Sequence, residues 1–289
     1  VLKQRGAHVV VVMDGLEDLF QSLPRDPRQE VALRALCQDL PTALREIPDR
    51  RLGLVVFVRK DLVRAAVRQN FSQFESLHKS YELRWNPEEA LRLAVWLCQK
   101  AGNDLDLQGH LLEEAPRDVL EQALYRIWGY KLGAPRSREA VTANWVLAAL
   151  SDFAGRLQAR DVVRFFHYAA KRAQVVSEYD GRLLQPAAVR YAIEPCSQDK
   201  VKEAQEEMPW LADIFEKFNR VPDRRIPFRA GDYDLTAEDV RLMNEVGIIF
   251  EEEGVFYMPE IYRHGLGFKL EKGARPKVLS LMKRAFGTL

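Results

Sequence analysis

His8-Val9-Val10-Val11-Val12-Met13-Asp14-Gly15-Leu16-Glu17-Asp18 is the stretch on which the fold reading turns. It holds four consecutive β-branched residues, which suit a pleated surface and lose side-chain freedom in a helix. A continuous apolar run of this length reads as a strand buried on both faces, the situation of a central strand in a parallel sheet. Asp14-Gly15 ends the run with turn chemistry. In open parallel sheets ligands bind beyond the carboxyl ends of the strands, so the carboxylates here are expected to face a site.

Downstream, Val31, Leu33, Leu36, Leu40 and Leu44 recur at mostly three- and four-residue spacing, predicting an amphipathic helix over 28–46 with a kink at Pro41. A second apolar strand is predicted over 52–58, a helix over 61–70 and a short extended stretch over 81–85. The order β-α-β-α-β predicts an α/β fold with a parallel sheet. After Pro87 the pattern becomes helical, with helices predicted over 88–101, 116–129, 138–150, 159–174 and 200–219. Thr236 followed by Asp239 resembles a capping box. Beyond it, two apolar segments, 247–250 and 255–258, flank an acidic turn and predict a β-hairpin. A helix followed by a hairpin suggests a winged helix. The expected divisions are 1–86 for the sheet, 87–220 for a helical part and 221–289 for the winged helix.

Asp14 is placed to hold the shell of a magnesium ion, and Glu17 to orient or deprotonate an attacking water. The alternative is that Asp14 and Asp18 only cap the turn after the strand. Arg59, just past the second strand, would stand beside Asp14 if the two strands are neighbours, where a guanidinium can contact a γ-phosphate. It could equally neutralise Asp61 or Asp14. Arg160 and Arg164 lie one turn apart on one face of a predicted helix, either as further phosphate contacts or as solvated helix charge.

Together, Asp14-Gly15-Leu16-Glu17-Asp18, the Arg after the next strand and Leu83-Arg84-Trp85 before a helical segment resemble the signal-transduction branch of P-loop ATPases, the STAND and KAP-like relatives of AAA+ proteins. The order of the two acids is reversed from the family's usual Asp then Glu, so the resemblance leaves both Glu17 and Asp18 as catalytic candidates. Ala159-Arg160-Asp161-Val162-Val163-Arg164-Phe165 is similar to a Pro-Arg-Asp-x-x-Arg-Phe pattern in the lids of such proteins, with Ala159 in place of the proline. Pro259-Glu260-Ile261-Tyr262-Arg263 after the hairpin is similar to the winged helix that often follows the lid. The resemblance implies an ATP- and Mg²⁺-dependent switch, with Asp14 on the metal and Arg59, Arg160 and Arg164 on the nucleotide. One part is missing: no Gly-x-x-x-x-Gly-Lys-Ser/Thr loop and no Gly-Lys dipeptide occur in the sequence. With the start at Val1, this is read as the part of an ATPase that follows its P-loop, expected to bind nucleotide poorly by itself. The competing reading is a non-enzymatic winged-helix regulator on a degenerate sheet.

Composition narrows the rest. The 289 residues carry 43 Lys and Arg against 42 Asp and Glu, and 47% are hydrophobic, which argues against disorder and against a protein that coats nucleic acid. Cys37, Cys98 and Cys196 fit neither a disulfide framework nor a Cys-x-x-Cys metal site. No signal peptide or long apolar span is read, so a soluble, cytoplasmic protein without membrane contact is expected. The five histidines lack zinc-ligand spacing, and the five tryptophans fall in apolar helical settings that core packing explains. From Arg263 to Arg284 there are seven basic residues (Arg263, Lys269, Lys272, Arg275, Lys277, Lys283 and Arg284) and one acid, Glu271. Yet the hairpin turn carries Glu251, Glu252 and Glu253, which repel a phosphate backbone, so protein contact or self-association is expected over DNA.

Overall fold

β1 (Val9–Met13) runs parallel to β2 (Leu52–Val56), with Val9 opposite Leu52 and Met13 opposite Val56. The structure is a computed structural model that describes residues 6–20, 23, 26–83, 85–176, 179, 181–271 and 278–287. The chain divides into two compact units, Val1–Leu83 and Arg84–Leu289. Arg84, Lys272, Arg275 and Lys277, singled out above, lie outside the described residues.

In the first unit a short helix, α1 (Leu16–Leu19), follows β1 directly. α2 (Pro27–Arg34) is capped by Asp26, whose side chain accepts from the Arg28 N–H, with Pro27 in the first turn where a missing N–H costs nothing. The same helix passes through a π-helical turn, Ala35–Asp39, into α3 (Leu40–Glu46). Pro41 gives the physical reason: it has no N–H to offer the preceding turn, so the ladder widens there. α4 (Lys60–Ala66) and α5 (Phe71–His78) complete the unit. Leu16, Leu23, Leu33, Cys37, Val63, Ala66 and Val67 form its core, against which Met13 and Val56 pack from the strands.

Two features depart from the sequence expectation. Residues 79–81 form a 3-10 turn and no strand follows them among the described residues of this unit, whose sheet there has two strands. Nor is β1 covered on both sides. Side chains alternate along a strand, so Val10, Val12, Val55 and Phe57 share a face, and that face is open, with Val10 and Val12 each 60% exposed. The apolar run gave the strand, but the helices of this unit pack only toward the Met13 and Val56 side.

The second unit begins with α6 (Pro87–Lys100), whose cap Asn86 accepts from the Glu89 N–H at 2.8 Å. There follow α7 (Arg117–Ala123), α8 (Tyr125–Trp128), α9 (Thr142–Leu150), α10 (Ala159–Ala173), α11 (Pro186–Glu207) and α12 (Trp210–Asn219). Trp128 stacks on Phe166 and meets Phe165 edge-on, joining α8 to α10. β3 (Arg225–Ile226) precedes α13 (Ala237–Glu245), where Thr236 and Asp239 form the expected capping box. β4 (Phe250–Glu252) and β5 (Val255–Tyr257) form an antiparallel hairpin, followed by α14 (Glu260–Arg263), β6 (Lys269–Leu270), which pairs parallel with β3, and α15 (Val278–Ala285).

The hairpin is shorter than its apolar flanks because Ile248 and Ile249 are buried as core residues rather than paired. Gly247 makes their approach possible: its φ is +67°, and a Cβ there would lie 2.6 Å from the Ala154 backbone nitrogen. Residues 87–220 and 221–289 share one hydrophobic core, in which Phe218 packs with Phe228, Tyr233 and Phe268. No helix among the described residues is long and apolar enough to cross a membrane.

Candidate functional site

The parallel pairing brings the carboxyl ends of β1 and β2 side by side, and the Phe57 N–H donates to the Met13 carbonyl at 2.8 Å. Asp14 and Arg59 therefore follow adjacent strand ends. Asp14 is exposed, and its Oδ1 accepts from the Gly15 N–H at 2.9 Å. Gly15 takes φ +71°, in the left-handed region that glycine enters without a Cβ penalty. This turn drives Leu16 into the core at 4% exposure and leaves Glu17 and Asp18 exposed in the first turn of α1. Carboxylates there are also favoured by the helix dipole, so the turn satisfies both readings of these acids.

Arg59, at the N-cap of α4, is half-buried and bidentate to Asp61, Nε to Oδ1 at 3.1 Å and Nη2 to Oδ2 at 3.0 Å. Such planar pairing fixes the guanidinium's orientation. Neutralisation of Asp61, one of the two roles open to Arg59 from the sequence, is thus present in the structure.

Arg160 and Arg164 stand in the second unit on α10, facing α11. Arg160 Nη1 lies 2.9 Å from Glu203 Oε1 and Nη2 donates to Glu207 Oε1 at 3.1 Å. Arg164 Nη1 donates to Glu203 Oε2 at 2.6 Å and to Asp161 Oδ1 at 3.4 Å. The side chain of Glu203 is 9% exposed, so one nearly buried carboxylate serves both arginines. Behind them Asp161, 1% exposed, accepts from Lys200 Nζ at 3.0 Å. Burial pushes the Asp161 carboxyl above its ordinary range despite Lys200. Tyr168 donates to Asp199 at 2.6 Å, and that bond together with burial pushes its hydroxyl up to about 12.

The network on α11 was not read from the sequence, although a signal exists. Asp199, Glu203 and Glu207 recur every four residues, and Arg160, Arg164 and Tyr168 do the same on α10. Two stripes of opposite character at helical spacing are what a helix–helix ion-pair seam requires.

In the C-terminal region, Glu260 is bidentate to Arg263 at 2.8 and 2.5 Å, and Arg263 Nη1 donates to the Phe268 carbonyl at 3.0 Å. Burial alone would raise the Glu260 carboxyl, but hydrogen bonds from His264 and Arg263 hold it below its usual range. Glu252 of the hairpin pairs with Arg284 of α15, so part of the acidic hairpin turn and part of the basic C-terminal segment meet within the unit. No group of three or more His, Cys, Asp or Glu residues suited to a metal ion occurs among the described residues. Compared with protein-family models, curated proteins and solved structures, the chain gives no match to any of them.

Proposed function

We propose that this chain carries strand-end residues of an ATP- and Mg²⁺-dependent signalling switch of the STAND or KAP-like kind. The observation that carries the reading is the side-by-side ending of two parallel strands, one followed by Asp14, Glu17 and Asp18 and the other by Arg59. In this reading Asp14 holds Mg²⁺, Glu17 or Asp18 activates water, and Arg59 contacts the nucleotide. Residues 87–220 act as a helical lid through Arg160 and Arg164, and residues 221–289 as a winged helix that moves with nucleotide state. The two-stranded pairing, among the described residues, supports a sheet extended by further strands at its edges, and its open face supports a covering layer, because parallel sheets are ordinarily covered on both faces. A P-loop would come with those strands, since no such loop occurs in this sequence.

The test is hydrolysis by a protein that contains this chain together with a P-loop. Glu17→Gln should retain ATP binding and slow turnover by roughly 10²–10⁴, the range for losing a general base. Parental turnover in Glu17→Gln with loss in Asp18→Asn transfers the role to Asp18, and parental turnover in both removes the assignment.

The second reading, a non-enzymatic interaction protein, is favoured by a separate observation: Arg59, Arg160 and Arg164 are all paired with carboxylates of their own unit. Calorimetric titration of the same P-loop-containing protein with MgATP separates the two, since this reading expects no heat of binding.

A further inference from the structure

Within the first unit, the π-helical turn with α3 and the facing helix α5 flank an open groove of about 240 Å³. It reaches from Cys37 to Arg45 on one wall and from Asn70 to His78 on the other. Eight residues of helix rise ~12 Å, which matches three to four residues of extended chain at ~3.3 Å each.

The lining has a definite chemical character. Pro41, Phe74 and Leu77 make it apolar, and Leu77 is 61% exposed. Gln38, Asn70 and Gln73 add three carboxamides, none of which hydrogen-bonds to another described side chain or backbone group. Asparagine is among the best helix N-caps. Asn70 nonetheless occupies the N-cap of α5 at φ +60° without its side chain capping the helix. Arg45 stands at one end with no ion pair among the described residues, and no carboxylate lines the groove. π-helical turns recur at functional sites, and this one forms part of the wall.

A carboxamide offers one donor group and one acceptor, as a peptide unit does. Unused carboxamides along an apolar channel therefore suit the backbone of an extended segment. Arg45, unopposed by acid, selects for a carboxylate.

We propose that this groove binds a short extended peptide, three to four residues long, with an acidic side chain against Arg45 and an apolar one against Phe74 and Leu77. The inference stands apart from the nucleotide reading and uses none of its residues.

The test is side-chain amide NMR on the full chain, titrated with acetyl-Leu-Glu-Leu-Glu-amide, with the Leu-Lys-Leu-Lys counterpart and with acetyl-glutamate amide. The acidic peptide should shift the carboxamide signals of Gln38, Asn70 and Gln73, and the basic one should not. Arg45→Glu should weaken the acidic peptide by about tenfold or more and improve the basic one, as charge-assisted pairing requires. Arg45 is exposed, so this variant keeps its fold, as unchanged signals away from the groove would show. Gln73→Leu should weaken the acidic peptide while leaving the preference for acid over base intact. Absence of binding at about 1 mM, the weak end of specific affinity, overturns the proposal. Equal binding of the two peptides, or shifts located elsewhere, overturns it as well. Binding of acetyl-glutamate amide as tight as that of the peptide reduces the site to one for a small carboxylate and also overturns it.

Discussion

Removing the Lys200 ammonium while keeping its stem, as in Lys200→Met, should destabilise the second unit by about 3 kcal/mol. The side chains of Lys200 and Asp161 are 8% and 1% exposed and lie 3.0 Å apart. Taking away one partner of a buried ion pair costs about 3–5 kcal/mol, because the other charge is left without compensation. Arg164, 3.4 Å from Asp161, remains and sets the expectation at the lower end. At about 2–4 °C per kcal/mol for a unit of this size, the midpoint falls by roughly 6–12 °C. Adding Asp161→Asn removes the stranded charge and should recover about half of the loss.

Urea unfolding followed by tryptophan fluorescence is the assay. Trp85, Trp96, Trp128, Trp145 and Trp210 all belong to the second unit, so the signal reports on it alone. Because the Asp161 carboxyl is raised by burial, the folded state binds its proton more readily than the unfolded chain does. The associated cost is present above the folded pKa and fades as pH falls toward the unfolded value of about 3.9. Without Lys200 the carboxyl rises further, so the deficit of Lys200→Met should shrink between pH 7 and about 4.5. A loss below about 1 kcal/mol, or a double variant no more stable than the single one, would refute the argument.

The open sheet face makes a contrasting pair: Val12→Thr should change stability by no more than about 0.5 kcal/mol, whereas Leu16→Ala should cost about 2–5 kcal/mol. Hydrogen exchange of the β1 and β2 amides measures both, and equal effects would show that the face is covered. In the C-terminal region, the isolated chain should bind duplex DNA weakly and without sequence preference, and reversing Glu251, Glu252 and Glu253 to Lys should strengthen that binding with a steeper salt dependence. Tight, sequence-dependent binding by the parent at physiological salt would favour the regulator reading instead.

What the sequence disclosed and what it hid follow from the range of the forces involved. β1, β2, α6 and α10 were legible because β-branched runs and apolar stripes are local patterns. The capping box at Thr236 was legible for the same reason. The first half of α11 was not, since Pro195 reads as a helix breaker. In the structure α11 runs through it, and the carbonyl that Pro195 leaves without an N–H belongs to Tyr191. The stretch expected to be extended over 81–85 forms no paired strand among the described residues for a different reason: a strand needs a hydrogen-bonding neighbour, which no local pattern supplies. At the candidate site the acids and Arg59 were legible by position. Their ion-pair partners were only partly so: Asp61 is two residues from Arg59, whereas Glu203 and Glu207 are some forty residues from Arg160 and Arg164.

The uncovered face of β1 has a consequence for how this polypeptide behaves in company. Residues 8–13 form a six-residue window of strong β preference with no proline, no acid, no Lys or Arg, and the side chains of Val9, Val10, Val11 and Val12 are open to solvent. Among the described residues, β1 in its two-stranded sheet also presents one unpaired backbone edge. Natural sheets guard such edges with lysines, prolines or bulges, and β1 has none of these. A segment with this composition is a template for pairing with its own copies, the first step toward stacked cross-β assemblies. Whatever the chain does in its working state, shelter for this strand is a condition of remaining dispersed.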